Sequence, residues 1–135
     1  MCRSLVIIII LILMGCKNVI TSAELNQLNG YWNIDFITHK NETFHPKGTA
    51  KLLDFYEISD RNGVRKKVQP QFDNKFTVTE DLNKFKIFFE GSDCFMKFET
   101  QWDNWQERIL ELHNDKLILE HQNNRYHYSR FNNID

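Results

Sequence analysis

The sequence predicts an all-β fold: a small antiparallel up-and-down meander barrel of about eight to ten strands with one short N-terminal helix. Three observations predict it. Apolar residues alternate with polar ones in a succession of short segments, the period of a strand with one buried face. The segments are separated by brief polar connections such as "DN", "HND" and "NN", which join neighbouring antiparallel strands. Beyond Gly30 there is no amphipathic helix of useful length, no repeat and no low-complexity stretch. A sheet without helices to cover it must cover itself, and closure into a barrel also removes exposed edges. A β-sandwich is the alternative, but its Greek-key topology needs longer crossing connections than this chain offers.

The first residues stand apart from the fold. "MCRSLVIIIILILMGC" combines basic Arg3, an apolar run from Leu5 to Met14, and Gly15 before Cys16. A spanning helix needs roughly 20 apolar residues, about twice this run, so residues 1–15 read as a secretory signal peptide. The ending "LMGC" resembles the lipobox of bacterial lipoproteins, in which the cysteine is acylated after cleavage. That resemblance implies lipidation at Cys16 and a lipidated tether over residues 16–24; the strand pattern places the barrel domain over residues 25–135. The lipobox resemblance also implies a cell-envelope location. Lys17, rather than an aspartate, follows the cysteine, which favours the outer membrane, facing the periplasm.

Removal of Arg3 with the leader takes the formal net charge from −1 to −2, and no basic stripe or tail suggests nucleic acid. Of the three cysteines, Cys2 leaves with the signal and Cys16 carries acyl chains. Cys94 alone remains, so no intrachain disulfide is expected, and Cys94 is expected to fill an apolar face.

Thr21 followed by Glu24 fits a capping box, with Leu25 and Leu28 on one side of a helical turn or two ended by Gly30. "WNIDF" then sets Trp32, Ile34 and Phe36 against Asn33 and Asp35. "KLLDFYEIS" runs into "DRNGVRKK", where Asn62-Gly63 is the strongest hairpin signal in the chain, both centres of a type I′ turn requiring positive φ. "KFTVTE" and "FKIFFE" follow, then "CFMKFETQW", with Cys94, Met96, Phe98 and Trp102 on one face. "WQERILEL", "KLILEH" and "RYHYSRF" complete the meander. Between the first strands, residues 39–50 are long enough to form a lid at the barrel mouth.

"NGYWNI" resembles the Gly-x-Trp motif that opens the first strand of lipocalins and lipocalin-like bacterial lipoproteins. The resemblance implies that Trp32, after Gly30, closes the barrel floor, and that a basic residue of the last strand, Arg130 in "YHYSRF", packs across its ring. The same pairing has a physical reason: tryptophan presents the best ring face for a guanidinium, at about 0.5–2 kcal/mol depending on desolvation.

If Arg130 points inward with Trp32, strand parity turns Tyr126 and Tyr128 inward, and with them His121, Leu119, Leu117, Leu112, Leu110 and Arg108. An inward Trp102, Phe98 and Met96 then require an odd connection, expected at Asp103 to Trp105. An arginine inside an apolar barrel must be paired, hydrated or held near the mouth. Interior arginines of fatty-acid-binding barrels receive a ligand carboxylate, so Arg108, Tyr128, Tyr126, Phe98 and Trp102 are the candidate ligand-binding residues. The alternatives for Arg108 are a place at the rim or a pair with an internal acid such as Glu57.

Catalysis has little support. The five histidines show no metal-site spacing, and there is no phosphate loop or nucleophile elbow, so neither an enzyme, a metal site nor a cofactor is expected. Two functions follow as expectations. One is a membrane-tethered monomer that binds or carries a small apolar ligand, with or without a carboxylate. The other is a periplasmic protein-binding module, an inhibitor or envelope-assembly accessory, that acts through its loops. The anchor is tested directly: Cys16→Ser should abolish incorporation of a palmitate analogue in metabolic labelling, and equal labelling of wild type and variant would overturn the lipoprotein reading.

Overall fold

The computed structural model describes residues 19–47, 52–71, 75–78 and 82–132; the expected signal peptide over residues 1–15, Cys16 and the first residues of the expected tether lie outside them. A 3₁₀ helix, Ser22–Leu28, is followed by ten strands: β1 Gly30–His39, β2 Glu42–Phe44, β3 Leu53–Ser59, β4 Asn62–Pro70, β5 Phe76–Val78, β6 Asn83–Glu90, β7 Asp93–Glu99, β8 Asn104–Leu112, β9 Lys116–His121 and β10 Asn124–Arg130. Eight of them close a barrel in the order β10-β9-β8-β7-β6-β4-β3-β1, with β1 returning to β10. The short strands β2 and β5 are appended to β1 and β4. All pairings are antiparallel, so the predicted barrel is the observed one.

The packed chain begins earlier than Leu25. Ile20 is 5 % exposed and belongs to the core, so residues 19–24 are not simply a tether. The cause is local: Thr21 is the N-cap, its backbone N–H donates to the Glu24 carboxylate at 3.2 Å, and Ile20 and Leu25 occupy the two positions of a hydrophobic staple. Leu25 and Leu28, three apart, fall on one side of the 3₁₀ turn and enter the core. The helix packs on β3 and β8 and plugs one end of the barrel.

At that end Gly30 has φ +118°, and a Cβ there would lie 2.7 Å from Arg130 Nη1. The glycine therefore provides both the turn out of the helix and the space for a guanidinium. Arg130 lies 4.2 Å over the ring of Trp32, its partner in the β1–β10 register. Its Nη1 donates to Asn29 O at 2.7 Å, its Nη2 to Gln27 O and its Nε to Asn114 O. Trp32 Nε1 donates to Leu28 O at 2.9 Å. The bonds to Gln27, Leu28 and Asn29 satisfy carbonyls that the end of a helix leaves without intrahelical partners, and with the bond to Asn114 they bind helix, first strand, last strand and the β8–β9 turn into one unit.

Two local expectations are corrected. The β3–β4 hairpin turns at Asp60-Arg61, with Ser59 opposite Asn62 and Ile58 opposite Gly63; Asp60 has φ 58°. Gly63 lies within β4 and faces the Phe85 ring, which an added Cβ would meet at 2.3 Å. The glycine accommodates a neighbouring ring, not a turn. Residues 39–50, read as a lid, begin instead with a hairpin: Lys40 takes φ 53°, and β2 pairs back onto β1, Thr38 opposite Thr43. Residues 48–50 lie outside the described part.

The core contains Trp32, Tyr56, Phe85, Met96, Phe98, Leu117, Leu119 and Tyr128, all buried. Cys94 fills the same face, 1 % exposed, and burial pushes its thiol up to about 11, outside the reactive range. Trp32→Ala should cost about 3–5 kcal/mol in urea denaturation and Arg130→Ala less. A double-mutant cycle should leave a coupling of about 0.5–2 kcal/mol; strictly additive losses would mean that ring and guanidinium contribute independently.

Candidate functional site

Strand β1 runs away from the helix plug, so the early residues of β3 and β8 and the late residues of β4 and β7 lie on the far side of their strands from it, with Tyr56 and Asp54 of β3 opposite Gly30 and Trp32 of β1. There the interior changes from apolar to charged. The β3–β4 register sets Tyr56 opposite Arg65 and Asp54 opposite Lys67. Asp54 and Tyr56 share parity with Ile58, a core residue, and this turns all four inward. From the far wall, β8 contributes Trp105 and Glu107.

Arg65 Nη1 donates to Glu107 Oε1 at 2.9 Å and to the Tyr56 hydroxyl at 3.3 Å. The indole N–H of Trp105 donates to the other Glu107 oxygen at 2.9 Å. The Arg65 guanidinium lies 4.2 Å from the centre of the Phe98 ring. Phe98 in turn stacks on Trp105 at 5.0 Å with planes 6° apart. Lys67 Nζ approaches Asp54 Oδ1 to 2.5 Å. Asp54 and Glu107 are buried, 3 % and 7 % exposed, and each is matched by a cation, as burial of charge requires. Two buried acids thus meet two bases, Arg65 largely buried and Lys67 with 37 % of its side chain exposed, and the cluster carries no net charge.

The surroundings set the protonation states. Burial holds the Tyr56 hydroxyl well above the usual tyrosine range. Burial also raises Tyr128, with Asp54 and Tyr56 adding to the shift, so both phenols remain neutral hydrogen-bonding groups. Burial disfavours the charge of Arg65, but the adjoining Tyr56 and Glu107 more than offset that and hold it above its ordinary value. The chamber is therefore a fixed set of dipoles and paired charges beside an aromatic wall.

The predicted ligand residues divide. Phe98 and Tyr128 are buried in the core, and Tyr126 packs against it partly exposed. Arg108 is not inside. A bulge in β8 between Ile109 and Glu111 shifts the register, so that Leu112 pairs with Leu117 but Leu119 faces Ile109. The extra residue reverses parity along the rest of β8. Glu107 turns inward and Arg108 outward, where it pairs with Glu120 at 2.9 Å and lies 3.8 Å from Asp93. Glu57, proposed as its internal partner, is exposed on the outer face.

Trp102 is not inside either: it is 88 % exposed on the β7–β8 turn. Thr100 Oγ1 accepts from the N–H groups of Trp102 at 3.3 Å and Asp103 at 3.0 Å, which pins a four-residue turn with Glu99 opposite Asn104. That even-numbered connection sets Trp105, not Trp102, against Phe98. The odd residue that parity demanded is in β8, several positions beyond Asp103 to Trp105.

Sequence reasoning missed Asp54, Arg65, Lys67 and Glu107. Part of the signal was present: "LDFYEIS" alternates Asp54, Tyr56 and Ile58 on one face, and a turn moved back from Asn62-Gly63 sets Arg65 and Lys67 opposite them.

No protein-family model and no curated protein sequence matches the chain. Among solved structures, the barrel is similar to a lipocalin-like protein from Bacteroides uniformis, at 12 % identity over 78 % of this chain and 99 % of that one, TM-score 0.47. It is also similar to an uncharacterized protein from Bacteroides eggerthii, at 7 % identity over 77 % and 99 %, TM-score 0.48. Lobster apocrustacyanin A1 matches at 12 % identity over 85 % and 67 %, TM-score 0.47. At these identities the likeness is one of fold alone.

The charged chamber has a measurable signature. Glu107→Gln should destabilise the domain by about 3–5 kcal/mol, since it leaves the Arg65 charge buried without its partner, whereas the apolar double replacement Arg65→Met with Glu107→Leu should cost much less than the sum of the single changes. Urea midpoints of Glu107→Gln, of the double replacement and of its two component single changes would decide it, and a double-variant loss equal to the sum of its singles would mean that the ion pair contributes nothing.

Proposed function

We propose that this protein binds a small, mostly apolar ligand at the end of the barrel opposite the helix plug, and that it does so tethered to the cell envelope through acylated Cys16, on the outer membrane facing the periplasm. One observation carries the binding reading: a neutral but highly polar cluster, Asp54, Tyr56, Arg65, Lys67 and Glu107, inside a barrel otherwise lined by apolar side chains. A structural core gains little from buried ion pairs, which apolar residues of similar volume often replace without loss. A few polar groups beside aromatic walls are the usual furnishing of a small-molecule site.

The charge balance selects the chemistry of the head group. A ligand carboxylate would bring a third negative charge to a chamber whose two cations already have partners. An uncharged head with both donor and acceptor edges can exchange hydrogen bonds with the partly exposed Arg65 and Lys67 while its apolar body lies on Trp105. The middle of the barrel is filled by Trp32, Tyr56, Met96, Leu117 and Leu119, so the ligand sits shallow, at the mouth. Nothing in this mechanism requires bond making. The exposed Trp102, on a turn at the same end, supports the second reading, a protein-binding module that acts through its loops; exposed aromatic anchors are common at such contacts.

Native mass spectrometry of the protein purified from its own source should show a retained small molecule. A long-chain alcohol probe should quench tryptophan emission saturably, a carboxylate of equal length should bind no better, and Trp105→Phe should remove most of the quenching. If neither probe binds below its own micelle concentration and no added mass is found, the loop-mediated reading takes its place.

A further inference from the structure

The outer wall carries a second site of different chemistry. The lower half of β4 pairs with β6 over only four positions, Asn62 to Arg65 opposite Lys86 to Asn83. Its upper half pairs instead with β5, Val68 to Pro70 opposite Val78 to Phe76. Where β4 leaves β6 the wall splays into an open cleft of about 600 Å³. Val64 and Leu82 contribute its apolar surface, and four lysines, Lys66, Lys84, Lys86 and Lys97, line it. Leu82 is 42 % exposed.

The lysines are not scattered. Lys84 and Lys86 alternate along β6 on the outer face, and Lys97 lies directly opposite Lys86 on β7. Strand geometry puts cross-strand neighbours about 5 Å apart and same-face neighbours on one strand about 7 Å apart at the backbone, so three ammonium groups can converge on one point. Like charges directly opposite each other destabilise a sheet. The acids lining the cleft are Glu57 and Glu99. Glu99 contacts Lys97 at 3.4 Å with both side chains exposed, a contact that contributes little. Lys84 and Lys86 have no ion-pair partner among the described residues. The cleft is thus an excess of unmatched cations, on a chain of formal net charge −1, beside exposed apolar surface.

We propose that this cleft binds the phosphate-bearing head of an anionic amphiphile, with Lys84, Lys86 and Lys97 on the phosphate and Leu82 and Val64 against the first carbons of the acyl chain. The two halves of the cleft argue for one occupant. A free anion would leave the apolar half open, and an uncharged lipid would leave the lysines in mutual repulsion. The site is on the outer wall and independent of the chamber at the barrel mouth, which is matched in charge.

The test uses the full chain, in detergent, titrated with three soluble probes: a short-chain phosphatidic acid, the phosphatidylcholine of equal chain length, and inorganic phosphate. Chemical shifts of the lysine side-chain groups report binding. Phosphatidic acid should shift Lys84, Lys86 and Lys97 saturably, at least tenfold more tightly than either other probe, and the affinity should fall with added salt. The triple variant Lys84→Gln, Lys86→Gln, Lys97→Gln should lose at least tenfold in affinity, while Lys40→Gln, on the β1–β2 turn, should be unchanged. The apolar leader is common to every variant, so differences read the cleft. Near-ultraviolet circular dichroism confirms that the triple variant is folded; should it not be, the single Lys86→Gln replaces it with an expected severalfold loss. Equal binding of inorganic phosphate, equal binding of phosphatidylcholine, or wild-type affinity in the lysine variant would each overturn the proposal.

Discussion

A guanidinium under a helix end organises this barrel. Arg130 stacks on Trp32 and donates to carbonyls of Gln27, Asn29 and Asn114, so a single side chain joins the plug, the first and last strands and the β8–β9 turn. The arrangement depends on Gly30, since any Cβ at that position would meet Arg130. An up-and-down barrel must hold its first strand against its last, which are the segments most distant in sequence, and loop closure over that distance opposes the contact entropically. The stack supplies a specific interaction at the seam, and the helix it holds excludes water from the end of the core.

The second organising feature is one residue long. The β8 bulge reverses the faces of everything before it in the strand, so an acid enters the barrel and an arginine leaves it. Glu107 becomes the partner of Arg65, and Arg108 joins Glu120 and Arg125 in an outer ion-pair group. The polarity of the chamber is a consequence of that single extra residue. Without it Arg108 would face the core and Glu107 the solvent, and Arg65 would have no carboxylate to meet.

Charge is distributed by surface. Inside, two buried acids, Asp54 and Glu107, are each ion-paired with a base, Lys67 and Arg65, whose side chains stay partly exposed. Outside, along β6 and β7, lysines outnumber the acids beside them, with Lys97 in contact with Glu99 and Lys84 and Lys86 without an ion-pair partner among the described residues. Burial accounts for the first pattern, because an unmatched interior charge costs far more than an exposed one. Solvent permits the second, and the opening between β4 and β6 gives it depth.

Much of the fold was legible because its signals are local. Alternation marked β1, β6 and β7; short polar connections required antiparallel neighbours; Thr21 and Glu24 marked the helix; and "NGYWNI" with a late Arg130 pointed to the seam. Face assignments held where turn lengths kept parity: the β9–β10 turn falls at Gln122-Asn123 rather than Asn123-Asn124, which moves the partners of Tyr126 and Tyr128 from His121 and Leu119 to Leu119 and Leu117 but leaves their face unchanged. They failed at β8, since neither residue beside Leu110 announces a bulge and "WQERILEL" fits either parity equally well. The sequence by itself determined that the chain would form a self-covering antiparallel barrel, because period and turn chemistry are properties of neighbouring residues. Only the tertiary structure decided that Gly63 serves the Phe85 ring, that Trp105 rather than Trp102 faces the interior, and that Arg65 and Glu107 meet across the barrel, because each depends on the register between strands, which is set by packing between residues far apart in the chain.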